Sequence, residues 1–160
     1  MKKIIIIAVL LGMIFAGNSF AAGKGWAIGG AFSFDWMQGS ESSVSGAALC
    51  LKFPQLPIMF GFSARFTEPD SAFGMTADWW LFQTHLIGPV SLYIGPGVYA
   101  FFISGGEEDN FNIGMRIPFG FQIFIVPAFE IFLEPAIKIE FLPNLPDFGL
   151  TAQLGFRFWF

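Results

Sequence analysis

Between residues 26 and 160 the side chains alternate with a period of two. In 26–36, Trp26, Ile28, Gly30, Phe32, Phe34 and Trp36 share one face, and Ala27, Gly29, Ala31, Ser33 and Asp35 share the other. Period two is the pattern of an extended strand whose two faces meet different surroundings. The same alternation predicts strands at 44–53, 58–66, 73–82, 90–102, 111–123, 129–141 and 148–160. The segments between them are MQGSESS (37–43), PQLP (54–57), TEPDSA (67–72), QTHLIGP (83–89), ISGGEEDN (103–110), FIVPA (124–128) and LPNLPD (142–147), all read as turns or loops.

The charges fix the phase of this pattern. Ten charged residues lie within the predicted strands: Asp35, Lys52, Arg65, Asp78, Arg116, Glu130, Glu134, Lys138, Glu140 and Arg157. All of them fall on the face opposite the Phe, Ile and Leu set. A soluble barrel puts its polar face outward and its apolar face inward. The reverse suits a wall in lipid, where an Arg or Lys at mid-height costs about 2–4 kcal/mol. Trp80, Phe82, Tyr93, Tyr99, Phe101, Phe132 and Trp159 fall on the charged face among glycines, the large-against-small mixture of a packed interior. Pro96, Pro118 and Pro135 fall inside the predicted strands, where a closed sheet has no free edge for a missing N–H.

Composition agrees with this picture. Apolar residues make up 54% of the chain, with 23 Phe, and charged residues only 12%, about half the usual share. Lys2 and Lys3, the apolar run at 4–17 and Ser19-Phe20-Ala21 predict a secretory signal peptide over 1–21. The run is shorter than the roughly 20 residues a spanning helix needs. The domain expected to fold is then 22–160. Loss of the two lysines takes its formal charge from −4 to −6, which excludes the basic footprint of a nucleic-acid binder. An exported, apolar chain without a membrane helix has one other way to span a bilayer, a closed sheet with every backbone group paired. The expectation is an all-β, eight-stranded, antiparallel up-and-down transmembrane barrel.

Signal peptide, eight amphipathic strands and an aromatic last strand together resemble the small OmpX/OmpA-type outer-membrane barrels of didermic bacteria. The resemblance implies that Leu154, Phe156, Phe158 and Phe160 form the C-terminal signal read by the barrel-assembly machinery. It also implies outer-membrane lipid as surroundings and an extracellular ligand of unknown identity. The R-x-P-x-G and EIF-x-E stretches and the P-D-F-G lead into the last strand resemble a spirochaetal family of small outer-membrane barrels.

The residues offer little for catalysis or cofactors. His85 is the single histidine and falls in a predicted turn between strands four and five, where no nucleophile accompanies it. Glu130, Glu134 and Glu140 share a face, but residues four apart on a strand are roughly 13 Å apart, too far for a glycosidase pair. Cys50 is the only cysteine, which rules out an internal disulfide; it is read as a small lumenal packer. Glu107, Glu108 and Asp109 could take a divalent cation, but adjacent acids at a loop tip are ordinarily just solvated. GPG at 95–97 lacks the Lys and helix of a phosphate loop. No enzyme activity, cofactor or metal is expected.

With both termini periplasmic, the loops at 37–43, 67–72, 103–110 and 142–147 face outward, carrying acids and no basic residue. The ten lumenal charges split five and five, and ions inside a barrel must pair to be tolerated. An eight-stranded interior is just wide enough for side chains to fill. The expected role is structural or surface-interaction, with an ion-paired, packed lumen; the alternative is an OmpW-like narrow conduit for small or apolar solutes. The barrel resemblance predicts that the unboiled protein migrates differently from the boiled protein on cold SDS gels, and identical migration together with carbonate extraction would exclude a membrane barrel.

Overall fold

The computed structural model describes residues 25–37, 44–67, 70–104, 110–142 and 147–160. The predicted signal peptide and the loop acids Glu41, Glu68, Glu107, Glu108 and Asp109 lie outside the described residues. Ten segments are extended: β1 (Ala27–Met37), β2 (Val44–Lys52), β3 (Ile58–Thr67), β4 (Asp70–Trp79), β5 (Phe82–Ile87), β6 (Val90–Ile94), β7 (Gly97–Ser104), β8 (Asn110–Val126), β9 (Phe129–Leu142) and β10 (Asp147–Trp159). They build eight staves, because β5 continues β4 and β7 continues β6. Every pairing is antiparallel, and the β1–β10 and β8–β9 ladders close the sheet on itself. This is the expected eight-stranded up-and-down barrel.

Its stagger can be read from the pairing. Starting at Ala27, opposite residues run through Lys52, Met59, Asp78, Gly97, Arg116, Lys138 and Gly149 and return to β1 at Met37, ten residues further along. Such a shear obliges the strands to tilt, and with eight strands it sets an interior that side chains can fill. The outer wall carries the apolar set, from Phe32 and Phe34 on β1 round to Leu154, Phe156 and Phe158 on β10, all exposed.

The interior is filled by a matched pairing of large and small residues. Tyr93 stands directly opposite Gly120, Tyr99 opposite Gly114, Phe101 opposite Gly74 and Phe132 opposite Gly155. An added Cβ at Gly120 or Gly74 would overlap the ring that lies over it. The aromatics at the end nearest the chain termini pack on one another. Trp80 stacks on Tyr93 with centroids 4.2 Å apart and lies 6.2 Å from Trp159.

Three expectations need correction. Phe82 does not point inward; it is 54% exposed on the outer wall. Asp78 pairs with Gly97 and Phe82 with Ile94, so three residues at 79–81 stand opposite two at 95–96. That one-residue bulge reverses the in–out phase of everything after it, and Gln83 takes the inward place. Nor is 83–89 a turn. Strand β5 runs to Ile87, and the hairpin needs only Gly88 and Pro89, with Gly88 at φ 55° supplying the left-handed position that a two-residue turn demands. In the same way β8 runs through most of 124–128, leaving Pro127 and Ala128 as the turn.

The prolines fit because they share gaps in the ladders. The β6–β8 and β7–β8 pairings keep one register from Ile94↔Phe119 to Gly97↔Arg116 but skip the positions between, where Gly95 faces Pro118 and Pro96 faces Ile117. The β8–β9 ladder skips from Pro118↔Ala136 to Phe121↔Leu133, where Pro135 faces Phe119. Missing donors are thus set where no ladder bond is made. The glycine–aromatic pairing predicts that Gly120→Val costs about 1–3 kcal/mol or more by overpacking against Tyr93, whereas outward-facing Phe121→Leu is nearly neutral; denaturant unfolding in lipid vesicles measures both.

Candidate functional site

The alternation that turns Phe, Ile and Leu outward leaves the ionised side chains converging on the lumen. All ten sequence-predicted lumenal charges point there: Arg65 keeps 13% of its side chain exposed, and the other nine residues are buried. They gather into two clusters and two outlying residues.

The cluster nearer the termini is built on β9 and β10. Arg157 stands opposite Glu130 in the ladder and bonds it at 2.6 Å. The other oxygen of Glu130 accepts from the Trp159 indole at 2.7 Å. Arg157 also donates to the Tyr93 hydroxyl at 3.1 Å and lies 3.6 Å from Glu134. Tyr93 in turn donates to Glu134. The second oxygen of Glu134 accepts from Arg116, which lies 3.2 Å from Asp78 two staves away. The Arg157 guanidinium rests 3.5 Å from the Phe132 ring centroid, so its face is covered while its edge is bonded.

The cluster nearer the loops is centred on Asp35. Its two oxygens accept from Arg65 at 2.5 Å and Lys138 at 2.7 Å. Arg65 also lies over Phe101 at 4.2 Å, and Lys138 over Tyr99 at 4.7 Å. Glu140 is held by neutral donors, Asn112 at 3.0 Å and Tyr99 at 3.4 Å. Lys52 stands apart at the terminus end, with the Leu56 carbonyl at 3.5 Å and the Trp159 ring at 5.9 Å.

Several members of these clusters escape a reading based on charge alone. Tyr93 and Trp159 read as packing residues, yet each spends its one polar atom on a glutamate. Asn112 carries Glu140. Gln83, assigned to a turn, bonds Gln122 at 2.9 Å inside the barrel. The available signal is positional: each of these except Gln83 is a polar head at an inward position of its strand.

What can this arrangement do chemically? The carboxylates of both clusters are engaged by cations or donors, and the space between the clusters is a cavity of about 10 Å³, room for about one water. His85 lies on β5, not in a turn; it is exposed, with Nε2 2.5 Å from the Gly88 carbonyl across the hairpin. Cys50 is buried on β2. Among the described residues no group of three His, Cys, Asp or Glu is placed to hold a metal ion. Leu154, Phe156, Phe158 and Phe160 all face outward, and Phe160 continues the closing ladder by exchanging bonds of 2.9 and 3.1 Å with Trp26. Asp70 and Asp147 open strands β4 and β10 rather than standing in loops.

No protein-family profile and no curated protein matches the chain. Solved structures do. Neisserial surface protein A is similar over 84% of this chain and 97% of its own, with a TM-score of 0.53 at 15% identity. The N-terminal β-barrel domain of Pseudomonas aeruginosa OprF gives 0.52 at 14% identity, covering 85% and 99%. Ail, the attachment invasion locus protein of Yersinia pestis, gives 0.50 at 18% identity, covering 85% and 97%. The chain has the fold of these small outer-membrane barrels.

The paired lumen generates a test. Arg157→Met leaves Glu130 buried with only the indole and is expected to cost about 3–5 kcal/mol, while adding Glu130→Leu to it returns much of the loss. Urea unfolding of the refolded single and double variants reads this directly.

Proposed function

We propose that the chain is an outer-membrane barrel with a closed lumen, serving as a membrane-anchored scaffold for its outward loops in a structural or surface-interaction role, without enzymatic activity. One observation carries this reading: three of the ion pairs reach past a neighbouring stave through the lumen. Arg116 on β8 reaches Asp78 on β4 past an intervening stave, and Asp35 on β1 joins Arg65 on β3 to Lys138 on β9. With about 10 Å³ between the clusters, there is no room for a substrate or a hydrated ion. Catalysis would also need a general base with access to a substrate proton, and these carboxylates already have partners.

The similar structures support the setting. They are barrels of outer-membrane and surface proteins, and one is named for attachment. The acidic loops suit contact with a cationic or polar extracellular ligand. In this reading residues 1–21 are removed near Ala21 on export, and Leu154, Phe156, Phe158 and Phe160 address the exported chain to the barrel-assembly machinery during biogenesis.

Planar-bilayer recording of refolded protein tests the closed lumen. Silence is the expected result; reproducible single-channel steps would establish the conduit instead. The address is tested separately. Phe160→Asp should lower assembly into the outer membrane in cells several-fold, while refolding into detergent stays near that of the unaltered chain.

A further inference from the structure

The two ion-pair clusters do not touch. Between them lies the cavity of about 10 Å³, whose lining includes Asp35, Arg65 and Lys138 from one cluster and Arg116 from the other. Its walls also carry Ser33 and Ser63, and the oxygens of both hydroxyls are buried without a protein partner among the described residues. Ser33 is 2% exposed. The Arg65 Nε–H is buried and unpartnered as well. Three buried polar groups thus meet one small space, and leaving each unsatisfied would cost about 1–3 kcal/mol.

We propose that this cavity is a built hydration site that binds a single water molecule in the space between the two clusters. Size and chemistry agree on the guest. A volume of about 10 Å³ admits about one water, and a buried water needs two to four polar partners. A water accepts from Arg65 Nε and donates to a serine oxygen, using each group in the sense it has free. Three cations near the site would by themselves invite an anion. The two clusters balance each other, however: Arg65, Lys138, Arg116 and Arg157 are matched in number by Asp35, Asp78, Glu134 and Glu130. A neutral guest with both donor and acceptor capacity therefore fits, and a halide does not. The space is kept by small neighbours, Ala48 and Gly61, on the wall. This goes beyond the closed-lumen reading, since a plug can equally be dry.

Crystals of the unaltered refolded protein test the site directly. Density for one water within hydrogen-bond reach of Ser33 Oγ, Ser63 Oγ or Arg65 Nε is the expected result. An empty cavity would overturn the inference, and so would an anomalous peak there after a bromide soak, which would make the guest an anion. In solution, water-oxygen magnetic relaxation dispersion counts long-lived internal waters. The pair Ser33→Val and Ser63→Val, which fills the cavity with methyl groups, should remove one from the count; an unchanged count in a variant with normal heat-modifiable migration would refute the site.

Discussion

An Arg or Lys cannot face hydrocarbon at mid-height without a cost of about 2–4 kcal/mol, and this chain turns ten charged residues of its strands inward. The lumen that receives them is too narrow to hydrate them. Burial there is costly without partners, because an ion that leaves water for a low-dielectric interior loses several kcal/mol that only pairing and hydrogen bonding offset. The rest of the structure follows from that requirement. The strands must alternate strictly, the register must bring opposite charges within reach, and the remaining volume must be filled.

Register and volume are solved together. Arg157 pairs with Glu130 because the β9–β10 ladder sets them opposite each other. The same ladder sets Phe132 opposite Gly155, so the ring has room to lie under the guanidinium. On the far side, Tyr93 can reach both Arg157 and Glu134 only because Gly120 leaves space beside it. A one-residue slip in any of these ladders would turn charges to lipid and aromatics onto backbone at once. The register is therefore specified twice, by electrostatics and by shape.

Most of the in–out phase was legible in the sequence because the two environments are so unlike. A Phe or an Arg at a given position leaves little choice of side. Legibility failed where an element had to break its own period. Nothing in the alternation of 73–82 announces that 79–81 carry an extra residue, since Trp79, Trp80, Leu81 and Phe82 are all large and apolar and suit either phase. The bulge shows only when β4–β5 is laid against Gly95 and Pro96. The turns at 83–89 and 124–128 were drawn too long for a similar reason: Gly and Pro mark a turn's centre but not how far the strands run toward it. The prolines looked like obstacles because a single strand does not show that its neighbour is interrupted at the same height.

The geometry of the ion pairs also says how the barrel holds its closed form. Pairs between adjacent strands, such as Arg157 with Glu130, only reinforce a ladder already present. Asp35 to Lys138 and Arg116 to Asp78 skip a stave and so brace the cylinder across its section. Asp35 bonds to β3 on one side and β9 on the other, spanning the β1–β10 seam where the sheet closes. Each such bond forms only when the stave between its ends is in place, and Asp35 holds both its partners only when β9, β10, β1, β2 and β3 are assembled together.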